Sequence, residues 1–224
     1  MKSYLSAAAL AAAIGLAASA ANAQPPAAGP PEVGLPFIAL DVIAPTGTAK
    51  LSVFTPAFQN NADIPFENTS YRANIFPGLN WNKGPAGTKS FAVIVQDTDG
   101  LINNQPILHF TMYNIPADVT VLAPGMTAPP AGASFGPNIR GPNQPYAGPR
   151  TPPGPRHHYH FQVFALDTVI PASPTLTFDQ LSAAMKGHVL GNGQTIGMGL
   201  VDPQAPPPAP RPAGAGAGGP PPAR

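Results

Sequence analysis

Titratable side chains that could bind a ligand lie at the ends of predicted strands. His157 begins the segment 157–167, in which polar and apolar residues alternate as in a half-buried strand. The alternation puts His157 on one face with Tyr159, and it puts His158 on the other face. A histidine at the rim of a core, beside the proline-rich loop 148–156, is typical of a binding pocket. The alternative is that His157 is only a strand-end residue with a satisfied hydrogen bond and has no role in binding.

Two carboxylates follow the most apolar predicted strand. The segment 89–96, KSFAVIVQ, is rich in β-branched and aromatic residues, which is typical of a strand covered on both faces. It runs directly into Asp97 and Asp99, within the sequence Asp-Thr-Asp-Gly. In ordinary turn chemistry, Asp97 caps backbone amides. The alternative is that at least one carboxylate points into a pocket and orients a histidine or a cation.

A second histidine lies within the predicted strand 108–113. Alternation places His109 on the face of Thr111 and Tyr113, opposite Phe110. A histidine inside such a strand is ordinarily a hydrogen-bonded core residue. It becomes a candidate for ligand binding because the two carboxylates and the first histidine also lie at strand edges.

The region 124–155 is long and poor in regular structure. Loops of this length within a compact domain are usually functional or disordered. Arg140, Arg150 and Arg156 lie in or next to this region. They give it a local excess of positive charge in a chain that is otherwise poor in charge.

Composition restricts the classes of function. The chain has 224 residues, which is enough for one good-sized domain with terminal extensions. Charged residues make up 9% and the formal net charge is +1, so the chain lacks the basic footprint of a nucleic-acid-binding protein. It contains no cysteine, which excludes disulfides, thiolate catalysis and cysteine-ligated zinc.

The two ends differ in composition from the middle of the chain. Lys2, the apolar segment 5–18 and Ala-Asn-Ala at 21–23 predict a cleaved secretory signal, and therefore a periplasmic or secreted protein. A Pro/Ala-rich lead-in follows the signal, and the C-terminal Pro/Gly/Ala-rich tail has too little apolar surface to fold, which predicts disorder. The predicted signal peptide, lead-in, folded domain and tail span residues 1–23, 24–34, 35–202 and 203–224.

Strands dominate the predicted domain. One clear helix, 177–187, begins at a capping box formed by Thr177 and Gln180 and ends at Gly187. Together with the strands above, this pattern predicts an antiparallel β architecture of packed sheets.

Five separated motifs lie along the predicted domain, at 85–90, 91–99, 108–119, 146–167 and 186–191. The second, FAVIVQDTD, resembles the strand ending in Asp-Pro-Asp of the phosphatidylethanolamine-binding protein (PEBP) family. The third, LHFTMYNIPADV, resembles the family's histidine-containing strand followed by Asn-Ile-Pro. The fourth resembles its Tyr-x-Gly-Pro loop and the strand that follows, and the fifth its Gly-His-Val-Leu. The ordered set resembles the bacterial Raf-kinase-inhibitor-like branch of that family.

The resemblance implies both a fold and a function. The fold is mainly β, with a large antiparallel sheet packed on a smaller sheet and few short helices. The function is the binding of phosphate and similar anions, including phospholipid head groups. We therefore expect a protein that contacts lipid at a membrane surface, uses no cofactor and is not an enzyme. Matching position by position implies a pocket formed by Asp97, Asp99, His109, Gly148, Pro149, His157 and Tyr159.

In such a pocket the two histidines would donate hydrogen bonds to an anion. Asp97 or Asp99 would accept a hydrogen bond from the other ring nitrogen and favour the imidazolium form. The backbone amide of Gly148 would approach the ligand closely.

Departures from the family pattern concern the rim of the pocket. The prolines of Asp-Pro-Asp-Ala-Pro are replaced in Asp-Thr-Asp-Gly-Leu, which makes that loop less rigid. His158 stands where arginine is usual, Arg150 where cysteine is frequent, and Ile107 where an aromatic residue is usual. These changes alter the rim and its specificity.

Two other classes of function stay open at this point. A metal-dependent hydrolase could use Asp97, Asp99, His109 and His157 as ligands, since carboxylates and imidazoles bind divalent metals. A protein-interaction module could inhibit a protease or a kinase, although an exported protein would not meet cytosolic kinases. No nucleophile with an adjacent base is apparent in the sequence, which favours binding over catalysis.

Overall fold

The computed structural model describes residues 38–205, which form two β-sheets and two short α-helices. The strands are β1 Ala49–Lys50, β2 Val53–Phe54, β3 Ala62–Asp63, β4 Leu79–Trp81, β5 Ser90–Ile102, β6 Gln105–Pro116, β7 Val121–Leu122, β8 Ser134–Phe135, β9 His157–Leu166 and β10 Val189–Gly199. The helices are α1 Ala39–Val42 and α2 Phe178–Met185, and a 3-10 helix spans Phe66–Asn68. The predicted signal peptide, the lead-in and the tail beyond Ala205 lie outside the described residues.

The larger sheet has seven strands, in the order β1-β10-β9-β5-β6-β8, with β3 also paired to β10. The pairs from β10 to β8 are antiparallel, and the two short strands β1 and β3 join β10 in parallel. The smaller sheet has three antiparallel strands, β2-β4-β7. This architecture confirms the predicted fold class of a large sheet packed on a smaller one with few helices.

One face of the large sheet packs against the small sheet. Val93 of β5 and Phe161 of β9 are fully buried there, in one core with Leu79 and Trp81 of β4. Tyr159 belongs to the same core. Alternation along 157–167 puts Tyr159 on the face opposite His158, and the structure buries that face together with Phe161.

The other face of the large sheet is covered by the two helices. Ile94 of β5 and Phe164 of β9 are buried against Leu181 and Met185 of α2. Strand β5 is therefore covered on both faces, as its continuous apolar sequence predicts. Helix α2 begins at the predicted capping box. The Thr177 hydroxyl accepts from the Gln180 amide, and the Gln180 side chain accepts from the Thr177 amide.

Helix α1 is held by two glutamine side chains of the large sheet. The amide of Ala39 donates to Oε1 of Gln96 at 2.7 Å, and the amide of Leu40 donates to Oε1 of Gln162 at 2.7 Å. Nε2 of Gln162 also donates to Oε1 of Gln96 at 3.0 Å. The amides at the helix start have no partner within the helix, so these buried side chains supply their acceptors.

Strand β6 contains a bulge at His109. Val95 of β5 pairs with Phe110, but the next residue, Gln96, pairs with Leu108, which leaves His109 as an extra residue. His109 contacts Tyr159 on the small-sheet side, whereas Tyr113 is buried on the helix side. The prediction that His109 shares a face with Tyr113 is wrong, because the bulge breaks the alternation on which it rests.

The described residues contain no helix that is both long and apolar enough to span a membrane.

Candidate functional site

A cavity of about 440 Å³ opens where β5, β6 and β9 meet the long loop before β9. Its floor carries the polar side chains of Asp97, His109, His157 and Tyr159. Its mouth is formed by apolar and basic side chains, among them Leu101, Ile107, Ile139, Arg140 and Arg150. The three strand segments that carry the predicted titratable residues thus meet at one place.

Asp97 connects His157 to a bulge in β5, in which residues 98–100 lie between the pairs Asp97–Ile107 and Leu101–Pro106 and have no partner in β6. One carboxylate oxygen, Oδ1, accepts the backbone amides of Asp99 and Gly100, each at 2.9 Å. The other, Oδ2, accepts from Nδ1 of His157 at 2.8 Å. The carboxylate is nearly fully buried. The two interpretations of Asp-Thr-Asp-Gly, amide capping and orientation of a histidine, therefore hold at the same time.

Gly100 lets the chain pass close to this carboxylate. A Cβ atom at Gly100 would lie 2.8 Å from Oδ2 of Asp97 and 2.7 Å from Cδ1 of Ile107. Both distances are shorter than real Cβ contacts. The glycine therefore allows the bulge to close over Asp97 without displacing the cavity wall.

His109 is held by the loop before β9. Its Nδ1 donates to the carbonyl of Ala147 at 2.6 Å, and the amide of Ala147 donates back to the carbonyl of His109 at 3.0 Å. The opposite nitrogen, Nε2, is buried and has no partner among the described residues. Burial lowers the pKa of His109, and the Ala147 carbonyl and the Asp97 carboxylate oppose this only in part. His109 thus lines the cavity as a neutral ring with one unpaired nitrogen.

Tyr159 lies between the two histidines. Its ring packs edge-on against His109, with centroids 5.1 Å apart, and lies nearly parallel to His157 at 6.4 Å. Its hydroxyl is 3.1 Å from the Thr151 hydroxyl. Burial raises the pKa of Tyr159, and the nearby Asp97 carboxylate raises it further, so the phenol stays neutral.

Gly148 lines the cavity, but its amide is not free for a ligand as predicted. The amide donates to Oδ1 of Asn74 at 2.7 Å, and the Gly148 carbonyl accepts from the Ser70 hydroxyl at 2.8 Å. A Cβ atom at Gly148 would lie 2.7 Å from the carbonyl oxygen of Asn68. Glycine is therefore required here for packing against the 66–74 segment. Pro149 does not line the cavity; its carbonyl accepts from the Ser70 amide at 2.8 Å.

Asp99 also lies away from the cavity, contrary to the prediction that it joins the pocket. Its Oδ2 accepts both the amide of His158 at 2.7 Å and Nδ1 of His158 at 2.8 Å. Partial burial raises the pKa of the Asp99 carboxyl, but the hydrogen bonds from His158 outweigh burial and hold the pKa below its ordinary value. Five of the seven predicted residues line the cavity: Asp97, His109, Gly148, His157 and Tyr159.

Two arginines of the long loop complete the mouth. Arg150 donates to the Ser70 carbonyl at 3.2 Å, and its guanidinium lies 4.8 Å from the centre of the Tyr71 ring. Arg140 is exposed beside the cavity. Both belong to the local excess of positive charge seen in the sequence. Arg156, the third arginine of that group, does not line the cavity and pairs with Asp63 at 2.9 Å.

The side chains that a metal-dependent hydrolase would need as ligands are not grouped at one place. Within residues 38–205, no three histidine, aspartate or glutamate side chains are grouped so that they could hold a metal ion. Asp99, one of the four expected ligands, turns to His158.

The two packed sheets, with a polar cavity where three strands of the large sheet meet the long loop, define a class of mainly-β protein. The family model for phosphatidylethanolamine-binding protein matches residues 54–199. A UPF0098 protein of Methanothermobacter thermautotrophicus is 35% identical over 152 residues, which cover 66% of this chain and 97% of the relative. The chain belongs to the phosphatidylethanolamine-binding protein family.

Other relatives agree with this assignment. LppC of Mycobacterium tuberculosis, which is named as a lipoprotein, is 31% identical over 159 residues, covering 70% of this chain and 76% of LppC. The crystal structure of the PEBP homologue CT736 from Chlamydia trachomatis superposes with a TM-score of 0.62 at 28% identity, covering 69% of this chain and all of that one. Escherichia coli YbcL gives a TM-score of 0.62 at 27% identity with the same coverage.

Proposed function

We propose that this chain is an exported binding or regulatory protein whose cavity takes the anionic group of a small ligand, a phosphate or a phospholipid head group. One observation carries the proposal. Nδ1 of His109 is bonded to the Ala147 carbonyl and Nδ1 of His157 to the Asp97 carboxylate, so each ring can meet a ligand only through Nε2. A protonated Nε2 donates a charge-assisted hydrogen bond, which suits an oxyanion.

The charges around the cavity support an anionic ligand. Arg140 and Arg150 stand at the mouth. The carboxylate of Asp97 is the acidic group among the lining residues, and it already accepts three hydrogen bonds. A cleft with this balance of charge raises the local concentration of anions.

The hydroxyl groups support binding rather than catalysis. Ser70 lines the cavity, but its hydroxyl donates to the Gly148 carbonyl at 2.8 Å. The Thr151 hydroxyl is bonded to Tyr159. Neither is hydrogen-bonded to an imidazole, so neither forms the nucleophile–base pair that acyl or phosphoryl transfer through a serine requires.

The apolar part of the mouth favours an amphiphilic ligand. Leu101 and Ile139 line the cavity and still expose 40% and 48% of their surface, and neighbouring Ile102 exposes 47%. Apolar side chains beside two arginines fit a phospholipid, whose phosphate would enter the cavity while its acyl chains meet the rim.

Isothermal titration with sulfate and with phosphate tests the anion site. Wild-type protein is expected to bind both. His157→Gln should weaken sulfate binding by about 1–3 kcal/mol, the usual scale for a lost charged donor. His188→Gln is the matched control, because His188 also donates Nδ1 to a carboxylate, that of Asp167 at 2.7 Å, on an exposed site. Equal losses in both variants, or no sulfate binding by wild-type protein, would refute the anion site.

Export rests on the predicted signal peptide and on the similarity to LppC. Intact-mass analysis of protein recovered from the periplasm or medium is expected to show a chain that starts at Gln24. A chain that retains Met1 in that fraction would contradict the cleavage.

A further inference from the structure

The two arginines at the cavity mouth differ from the other arginines of the described chain in having no acidic partner. Within residues 38–205, Arg72 and Arg156 form ion pairs with carboxylates, at 2.7 Å and 2.9 Å. Arg140 and Arg150 pair with no carboxylate among the described residues, and both are exposed. Their positive charges at the mouth are therefore not balanced by a neighbouring acidic side chain.

The Arg150 side chain is held in place over an aromatic ring. Its guanidinium lies 4.8 Å from the centre of the Tyr71 ring, and one N–H group donates to the Ser70 carbonyl at 3.2 Å. The Tyr71 hydroxyl in turn donates to the Thr151 carbonyl. A guanidinium carries several N–H donors in a planar fork that suits carboxylate and phosphate groups. Arg150 therefore keeps donors for a ligand although its position is fixed.

The Arg140 side chain acts on the interior of the cavity as well as on its mouth. Burial is the main cause that lowers the pKa of His109, and the positive charge of Arg140 lowers it further. The guanidinium thus lies close enough for its charge to act on that ring. The backbone of Arg140 is fixed, because its amide donates to Oδ1 of Asn138 at 2.8 Å. A ligand bound between mouth and floor is therefore within reach of the same charge.

The acceptors that a cationic group would need are already used within the protein. Asp97 is the one acidic residue among the described residues that line the cavity, and both of its carboxylate oxygens accept hydrogen bonds. The carbonyls of Ala147 and Gly148 accept from Nδ1 of His109 and from the Ser70 hydroxyl. An ammonium group in this cavity would thus meet two guanidinium ions and a carboxylate whose oxygens are both engaged.

We propose that Arg140 and Arg150 are specificity-determining residues, which select a phosphate ester with a second acidic group and reject one with an ammonium group. The inference rests on the proposed anion site, which takes the phosphate itself. Charges of like sign at a binding site act against the wrong partner, and charges of opposite sign favour the right one. The ligand class is therefore the head group of an anionic phospholipid or a soluble phosphorylated acid, and not a zwitterionic ester such as phosphoethanolamine.

Three phosphate esters of equal length test the selection. Phosphoglycolate, n-propyl phosphate and phosphoethanolamine end in a carboxylate, a methyl and an ammonium group. Isothermal titration is done in low salt at about pH 7.5, where the phosphate is mostly doubly ionised because its second pKa is about 6. Phosphoglycolate should bind about threefold more tightly than n-propyl phosphate, and n-propyl phosphate about threefold more tightly than phosphoethanolamine, the scale of one exposed charge pair. Added salt should narrow both differences.

Arginine variants assign the selection to the mouth. Arg140→Gln and Arg150→Gln should each narrow the differences among the three esters, and the double variant should remove them. Arg156→Gln is the matched control, because it removes the same charge nearby from a residue that pairs with Asp63 and does not line the cavity. It should keep the order of the esters. Melting temperatures show that each variant is folded.

Vesicles distinguish the two sources of the ligand. Cosedimentation is measured with phosphatidylcholine vesicles that contain either phosphatidylglycerol or phosphatidylethanolamine. Binding to the phosphatidylglycerol vesicles that is lost in the double variant and kept in Arg156→Gln supports an anionic lipid as the ligand. The expected order of the esters without binding to any vesicle supports a soluble phosphorylated acid.

The selection and the anion site fail in different ways. Sulfate binding by wild-type protein together with equal affinities for the three esters would overturn the selection alone. Equally strong binding to both kinds of vesicle, or a narrowing in Arg156→Gln as large as that in the double variant, would also overturn it. No binding of sulfate or of any ester would refute the anion site itself, and the selection with it.

Discussion

Asp97 and His157, sixty residues apart in the chain, are joined by a 2.8 Å hydrogen bond at the floor of the cavity. The same carboxylate closes the bulge at the end of β5 through the amides of Asp99 and Gly100. The position of the ring and the path of the backbone therefore depend on one buried side chain.

Removing the Asp97 carboxylate should destabilise the whole domain. Asp97→Ala leaves three donors without their acceptor in a buried place, so we expect the free energy of unfolding to fall by about 1–3 kcal/mol. Urea unfolding monitored by Trp81 fluorescence measures the change. Asp99→Ala is the control, because Asp99 is partly exposed and its donors on His158 can turn to water. A loss in Asp99→Ala as large as that in Asp97→Ala would contradict the role of the buried carboxylate.

Sulfate binding should tighten as the pH falls, with His109 as one source of the effect. The groups facing His109 are the Ala147 carbonyl, Asp97, His157, Tyr159 and Arg140. Burial lowers the pKa of His109 in the free protein, so the ring is neutral near pH 7. A bound anion stabilises the imidazolium, which raises the pKa in the complex. Binding must then take up a proton, and affinity must rise as pH falls through the pKa of the complex.

Sulfate is the right probe for this effect because its charge is constant in this range, whereas phosphate itself titrates. Titrations at about pH 5 and about pH 8, each in two buffers with different heats of ionisation, give the number of protons taken up. His109→Gln is expected to take up about one proton fewer than wild-type protein. The same proton uptake in both would assign the pH dependence to other groups.

The apolar rim should be needed for contact with lipid. Replacing Leu101 and Ile139 together by serine removes about 1 kcal/mol of burial for each side chain. We expect cosedimentation with vesicles of phosphatidylcholine and phosphatidylglycerol to weaken about tenfold or more. Val169→Ser is the control, since Val169 is 59% exposed but follows the far end of β9. If wild-type protein bound sulfate but no vesicles, the ligand would be free phosphate rather than a phospholipid.

The C-terminal boundary of the domain can be tested by truncation. Asp202 is buried and accepts from Nε of Arg72 at 2.7 Å, and Gln204 donates its amide to Asp202 at 2.9 Å. A chain ending at Ala205 should melt at the temperature of the full chain, because residues 206–224 include no aromatic or large aliphatic residue. A chain ending at Val201 should melt at a lower temperature.

The pH dependence of this difference has a definite sign. The hydrogen bond from Arg72 lowers the pKa of Asp202. The stability that Asp202 contributes is therefore present above its ordinary pKa and is lost as the pH falls through the lowered value. Calorimetry should show the two truncated chains converging in melting temperature in acid. A difference that stays constant down to the lowest pH would point to packing rather than charge.

Much of the fold follows from local patterns in the sequence. Alternation in β9 correctly placed Tyr159 in the core and His158 outside, and the apolar run before Asp97 correctly predicted a strand covered on both faces. The capping box at Thr177 is present as predicted. These features depend on neighbours within a few residues, which is why sequence alone specifies them.

Features that depend on other parts of the chain were missed. Strand β10 is not apparent as one element in the sequence, because glycines interrupt its pattern. In the structure, a Cβ atom at Gly193 would lie 2.0 Å from the carbonyl oxygen of Leu51, so the glycine is required by a neighbouring segment. The directions of Asp99 and of the Gly148 amide likewise depend on His158 and Asn74, which are distant in sequence.

The bulge at His109 has a consequence for protein engineering. With a regular ladder between Val95 and Leu108, a residue at this position would face the helices instead of Tyr159. Deleting His109 would close the ladder and keep Leu108 opposite Gln96 and Ile107 opposite Asp97, but no residue of β6 would then take the place of the lost imidazole. If this cavity is grafted onto another antiparallel sheet, the extra residue of β6 must be transferred together with the side chains. Without the bulge, the residue at this position would face the helices.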